Sequence, residues 1–164
     1  IGARVIVTAS AGKLEACRDL GADLAVDYAS EDFVAECVAF TNGAGVDVVL
    51  DVIGGDYVDR NIASLALKGC IVQVGTMAGP PPAMNLGGLM FKRARLVGTV
   101  LRARPLDEKI AISQRFAAEM LPLFATGALK PVIDSRYEFS DIAIAHEHMA
   151  KNANAGKIVI DISR

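Results

Sequence analysis

The chain has 164 residues, 52% of them apolar, with 17 Lys+Arg against 19 Asp+Glu and a formal net charge of -2. That suffices for one ordinary domain with its own core, and the charge balance gives no global pull toward nucleic acid or anionic lipid. Cys17, Cys37 and Cys70 form no closed disulfide framework and no CxxC metal spacing, so a reducing, cytoplasmic compartment is expected, and no apolar run reaches the ~18–20 residues of a membrane span.

Arg4 to Ala9 is a short β-branched run, the pattern of a strand buried on both faces. A helix pattern follows from Lys13 to Leu20, with Leu14, Cys17 and Leu20 on one side and Gly21 as its stop. Leu24 to Tyr28 reads as the next strand. Ser30 is placed to cap a second helix, with Glu31 and Asp32 in its first turn and Phe33, Cys37 and Phe40 as its buried stripe. Asn42-Gly43 ends it.

Val46 to Ile53 is the longest apolar strand candidate and closes on Gly54-Gly55. Asp56 is placed to cap a helix with the stripe Val58, Ile62 and Leu65 and with Gly69 as its stop. Cys70 to Val74 reads as a strand ending in Gly75-Thr76-Met77, and Gly79 to Gly88, with Pro80-Pro81-Pro82, reads as a loop. Leu96 to Leu101 is a strand. Leu106 to Thr126 is a long helix pattern that Pro122 kinks or shortens. Val132 to Phe139 is extended, Asp141 to Ala150 helical, and Lys157 to Ile162 a final strand.

Short strands alternating with helices imply parallel pairing and right-handed crossovers, hence an α/β, doubly wound, Rossmann-like sheet. Ligands of such sheets bind outside the carboxyl ends of the strands. Here those ends carry Ser10 and Gly12, Gly54-Gly55 and Gly75-Thr76, whose small or hydroxyl side chains let a nucleotide approach the backbone. Strand-to-helix turns use glycine anyway; it is the recurrence along one sheet edge that favours a cleft. An NAD site places an acid at the end of its second strand for the ribose 2′-hydroxyl. The corresponding end, Thr8 to Lys13, has no acid before Glu15; its hydroxyls and ammonium suit a 2′-phosphate, so NADP is favoured over NAD. No GxGxxG turn with its strand-helix context is present. Either this is no dinucleotide-binding domain, or the first strand and its helix lie upstream of Ile1.

An ordered set of segments carries a resemblance: Thr8-Ala9-Ser10-Ala11-Gly12-Lys13-Leu14, Leu20-Gly21-Ala22-Asp23, Val26-Asp27-Tyr28, Gly45-Val46-Asp47 with Asp51-Val52-Ile53-Gly54-Gly55, Leu86-Gly87-Gly88-Leu89-Met90-Phe91-Lys92-Arg93, Leu101-Arg102-Ala103-Arg104 and Ala155-Gly156-Lys157-Ile158-Val159. Together they resemble the zinc-independent, zeta-crystallin-like quinone oxidoreductases of the medium-chain dehydrogenase/reductase superfamily, in their p53-inducible branch. The resemblance covers the whole chain but only the C-terminal half of a family member. It implies a truncated NADP-binding Rossmann domain lacking its first strand over residues 1–127. Residues 128–164 would be the return to an absent GroES-like catalytic domain.

By the same resemblance Lys13 and Tyr28, with Ser10 assisting, would hold the adenosine 2′-phosphate and adenine end of NADPH. The segment from Thr8 to Lys13 is one residue shorter than the family's. Ile53 would pack near the cofactor ribose, and Gly75, Thr76 and Met77 would lie along the nicotinamide ribose. Val100, Leu101 and Arg102 would meet the carboxamide side, and Asn154 would be a late cofactor contact. The implied activity of the whole protein is hydride transfer from NADPH to a quinone or activated alkene, with the fragment itself inactive. Alternatives are an enone or enoyl-thioester reductase of the same superfamily and a non-enzymatic, crystallin-like nucleotide binder. No catalytic side chain and no metal ligand is assigned, no nucleic-acid or membrane partner is expected, and a homodimer through the edge strand near Leu96–Leu101 is.

Three further features are weighed and set aside. His146 and His148 lie on different faces of their helix, fall outside i, i+4 chelation and are read as surface or interface residues. Lys92, Arg93, Arg95, Arg102 and Arg104 are read as local structure and cofactor contact rather than an RNA footprint. Asp47 and Asp51 share a strand face, and Asp51 is assigned to stabilising the turn at Ile53-Gly54-Gly55.

Overall fold

A computed structural model describes residues 2–80 and 83–162, and it divides into two compact units, Ile1–Arg104 and Pro105–Arg164. Pro81 and Pro82 of the proline run lie outside the described residues.

The first unit alternates strand and helix. Strand β1 (Ile6–Ala9) leads through a 3-10 turn (Ala11–Lys13) into helix α1 (Leu14–Asp19). Strand β2 (Leu24–Asp27), helix α2 (Phe33–Phe40), strand β3 (Val46–Asp51) and helix α3 (Tyr57–Ser64) follow. Strand β4 (Leu65–Gln73), helix α4 (Leu86–Phe91) and strand β5 (Arg95–Gly98) complete it. β1 pairs with β2, and β3 with β4 and β4 with β5, all parallel. The strands therefore fall in two groups, β2-β1 and β3-β4-β5, with no pairing between β1 and β3 among the described residues. A doubly wound sheet ordered 3-2-1-4-5-6 breaks into these two groups when its first strand is left out. The expected truncated sheet is what the structure shows.

Two apolar clusters hold this unit. Val58 and Ile62 of α3 pack on Leu65 and Ile71 of β4, each 4% exposed or less. Phe33 and Cys37 of α2 pack on Val26 of β2, with Ile6 and Tyr57 at the margin. Each such side chain gains roughly 1.5–3 kcal/mol on full burial. Arg60 is stacked over Phe33 at 4.2 Å and Phe33 lies against Tyr57 at 5.3 Å, which joins α2 to α3.

Several local expectations shift. The cap of α2 is Asp32, which accepts from the N–H of Val34 at 3.1 Å; Ser30 instead donates to Asp27 at 2.8 Å. Leu20 is 67% exposed and does not complete the α1 stripe, because the helix ends at Asp19 and Gly21, at φ 98°, turns the chain away. Helix α3 ends at Ser64, not at Gly69, and Asp56 makes no side-chain cap bond. Its place as a stop is taken by an irregularity inside β4: the register jumps from Val46↔Leu65 to Val48↔Cys70 and Lys68 sits at φ 67°. Gly69 is required there by closeness, since a Cβ would come 3.0 Å from Ala66 O and 3.2 Å from Asp47 O. The expected loop up to Gly88 is cut short by α4, capped by Asn85 accepting from Gly88 N at 2.8 Å.

The second unit contains helices α5 (Leu106–Glu119) and α6 (Leu121–Ala125), broken at Met120 with Pro122 in the first turn of α6. Strand β6 (Ile133–Glu138), helix α7 (Ile142–Ala150) and strand β7 (Lys157–Asp161) follow, with β6 and β7 parallel.

Candidate functional site at the strand ends

Backbone bonds gather the carboxyl ends of the strands in pairs. Tyr28 N donates to Ala9 O at 3.2 Å, tying the end of β2 to that of β1. Beyond Ala9 the chain passes Ser10, whose hydroxyl makes no cap bond, and reaches Lys13 at the close of the 3-10 turn. Tyr28 is 44% exposed. Ser10, Lys13 and Tyr28 thus stand at the ends of two adjacent parallel strands.

The ends of β3 and β4 are bound more tightly. Met77 N donates to Val52 O at 3.2 Å, Ala78 N to Ile53 O at 2.8 Å and Gly55 N to Gly79 O at 2.9 Å. Ile53, Gly75, Thr76 and Met77 are therefore brought together in one double turn. Its glycines are needed by contact: Gly54 is at φ 67°, and a Cβ there would meet Gly79 O at 3.0 Å and Thr76 Cα at 3.1 Å. Met77 stands out at 80% exposure, and Thr76 is also exposed.

Asp51 anchors this double turn. It is 3% exposed; one carboxylate oxygen accepts from Ile53 N at 2.6 Å and Gly54 N at 3.1 Å, the other from Asn61 Nδ2 at 2.9 Å. The turn-stabilising role expected of Asp51 holds. Gln73 adds a second brace, donating to Gly75 O at 2.7 Å and Asp51 O at 3.3 Å. Asn61 and Gln73 were not singled out in the sequence. The available signal was a polar residue inside an apolar stripe: Asn61 beside Ile62, and Gln73 within the run from Cys70 to Val74.

Beyond β5, Thr99 N donates to Gln73 O at 2.9 Å, so the segment carrying Val100, Leu101 and Arg102 leaves from beside the end of β4. Val100 and Leu101 are 58% and 63% exposed. Arg104 bonds Val100 O and Thr99 Oγ1, both at 2.9 Å. Asn154 belongs to the second unit, where its amide donates to Gly156 O at 2.8 Å.

The basic cluster divides along these lines. Lys92 closes the end of α3, donating to Ala63 O at 2.6 Å and Leu65 O at 2.5 Å, and its burial lowers its pKa from the usual lysine value. His148, read as a surface or interface residue, is partly covered within its own unit. Its side chain is 25% exposed; Nδ1 bonds Tyr137 Oη at 2.9 Å and Nε2 lies 3.6 Å from Asp134. His146 is exposed. Burial, with the carboxylates of Glu36 and Asp32 adding, raises the Cys37 thiol pKa.

Among the described residues no group of three or more His, Cys, Asp or Glu side chains is placed to hold a metal ion. Among the same residues no helix is long and apolar enough to cross a membrane.

Comparison with known proteins agrees with this architecture. Residues 20–160 match the family described as zinc-binding dehydrogenase. The quinone oxidoreductase-like protein 2 homolog of Nematostella vectensis is 26% identical over 161 residues, covering 98% of this chain and 44% of its own length. A crystal structure of an NAD-dependent alcohol dehydrogenase superposes with a TM-score of 0.82 at 27% identity, covering 99% of this chain and 45% of that one. The mycobacterial protein Rv1454c complexed with NADPH gives 0.77 at 28% identity, covering 97% of this chain and 50% of that one. The chain spans about half the length of such relatives. With parallel strands in the order of an interrupted doubly wound sheet and a family match across most of its length, the chain belongs to the zinc-binding dehydrogenase family of the medium-chain dehydrogenase/reductase superfamily.

Proposed function

We propose that this chain is the larger part of the cofactor-binding half of an NADPH-dependent quinone oxidoreductase. The observation that carries the reading is the composition of the end of β1. The break in the sheet makes β1 the second strand of the full order, the one whose end receives the adenosine ribose. That end presents Ser10 and Lys13 and no carboxylate, chemistry that favours a 2′-phosphate. Lys13, Ser10 and Tyr28 would hold the adenosine end. Ile53 and the double turn of Gly75, Thr76 and Met77 would support the riboses. Val100, Leu101 and Arg102 would approach the nicotinamide, and Asn154 would be a late cofactor contact.

A bound nicotinamide supplies the hydride, and the protein binds, orients and shields it. No side chain of this chain is assigned as acid or base. On this reading residues 1–127 are nucleotide-binding and residues 128–164 belong with the catalytic domain. The fragment alone is inactive, no zinc takes part, and the whole protein works in the cytoplasm as a dimer paired along β5. The outer edge of β5 supports that pairing: all four residues are exposed and β4 is the one partner among the described residues.

The test is turnover by the full-length protein with NADPH and NADH against ortho- and para-quinones and enones. NADPH oxidation by quinones is expected. Failure with every pair would remove the reading, and turnover of enones alone would move the substrate class to activated alkenes.

A further inference from the structure

The last paired row of the β3-β4-β5 sheet places a side-chain amide between two parts of the candidate site. Asp51 pairs with Gln73 and Gln73 with Gly98, and these are the final partners of the two ladders. Beyond that row regular pairing ends and the chains turn away separately. Gln73 stands in the middle strand, where one residue can reach both neighbours.

Three bonds of Gln73 tie these departing segments together. Its Nε2 donates to Gly75 O at 2.7 Å and to Asp51 O at 3.3 Å, and its own carbonyl accepts from Thr99 N at 2.9 Å. A side-chain amide carries two N–H donors, and here both are committed to carbonyls. Asp51 O also takes Val74 N at 2.7 Å, and the Asp51 carboxylate holds Ile53 N and Gly54 N, so the end of β3 is a fixed base. Little slack is left: a Cβ on Gly75 would come 3.1 Å from Val52 O. The segment from Thr99 is closed by Arg104, whose guanidinium bonds Val100 O and Thr99 Oγ1 and whose N–H reaches Leu101 O at 3.2 Å. Gln73 itself is half-buried and has no assigned contact with a cofactor.

We infer that Gln73 is a positioning residue for the nicotinamide end of the site. It sets the spacing between the turn of Gly75 to Met77 and the segment of Val100 to Arg102, the two parts assigned to the nicotinamide ribose and the nicotinamide. Its bonds run to β3 and to the chain beyond β4 and β5, whereas Ser10, Lys13 and Tyr28 stand at the ends of β1 and β2. The adenosine end is therefore left alone. This role rests on the nicotinamide nucleotide reading of the site. Hydride transfer depends on such spacing, since a misplacement of about 1 Å can cost about a hundredfold in rate. An apolar residue at this place offers no donor, and a carboxylate sets negative oxygens against two carbonyls.

The test compares the full-length protein with Gln73→Met, which keeps the bulk and removes both donors, and with Gln73→Glu, which keeps the shape. Each is titrated with NADPH and with adenosine 2′,5′-bisphosphate, which is the adenosine end alone. Anisotropy of bound NADPH reports how firmly the nicotinamide is held, and single-turnover oxidation by para-benzoquinone reports the transfer rate. Both variants are expected to bind the bisphosphate within about twofold of wild type and to transfer hydride about tenfold or more slowly, with lower anisotropy. Gln73→Glu should recover part of the rate on acidification, because a protonated carboxyl regains one donor. Wild-type rate and anisotropy in both variants would overturn this role and leave the cofactor reading intact. Equal weakening of both ligands would also overturn it, since the residue would then serve only the fold. A wild-type protein that binds neither ligand would remove the cofactor reading itself, and this role with it.

Discussion

Asp51 shows most clearly how one side chain orders the candidate site. Its carboxylate is buried and takes three hydrogen bonds, two from the turn backbone and one from Asn61. Asp51→Ala leaves these donors without acceptors, and a loss of about 2–4 kcal/mol is expected in urea unfolding. Asn61→Ala, which strips one bond, should cost less. Its role was half legible: Asp51 before Ile53-Gly54-Gly55 reads as a turn anchor, but its braces Asn61 and Gln73 come from elsewhere in the chain, and no local pattern joins them. Cysteine chemistry offers a second check. Cys37 is 6% exposed and its thiol pKa is raised, whereas Cys17 and Cys70 are partly exposed. At pH 8 iodoacetamide is expected to label Cys17 and Cys70 well before Cys37, read by peptide mass, because thiolate and access both control the rate.

The elements were legible where periodicity and punctuation agreed. Asn42 and Gly43, both at positive φ, close α2, and Pro122 marks the break between α5 and α6. Reading failed where packing at a distance decides. Leu65 continues the α3 stripe in sequence yet begins β4, because extending the chain there lets it pair with Val46. Gly69 looks like a helix stop and is instead a point of close approach to Ala66 O and Asp47 O. The double turn makes a prediction at this scale. Gly54→Ala places a side chain at φ 67° and 3.0 Å from Gly79 O, so about 1–3 kcal/mol of stability should be lost. In the full-length protein the same change should weaken cofactor binding, measured by titration, since the loop of Gly75 to Met77 has to move.

At the scale of the whole chain, the order of the strands carries both the family membership and the break between β1 and β3. Parallel, doubly wound pairing was legible from alternation, because crossover handedness leaves few topologies, whereas the order of the strands is a finding of the structure. What alternation left undecided was whether β1 and β3 would close on each other; a parallel pair needs its own crossover geometry, and they remain apart. The exposed apolar side chains along that break predict a practical consequence. Val48→Lys with Leu50→Lys should reduce self-association in sedimentation and leave urea stability within about 0.5 kcal/mol, because both side chains lie in solvent in this chain. The central claim is that the ends of β1 to β4 form a site for a 2′-phosphorylated nicotinamide nucleotide. Fluorescence titration of the full-length protein with NADPH and NADH tests it most directly, alongside Lys13→Glu. At least tenfold tighter binding of NADPH, with that preference lost or reversed in Lys13→Glu, is the predicted result; equal affinity for the two cofactors, tighter NADH, or binding of neither would contradict it.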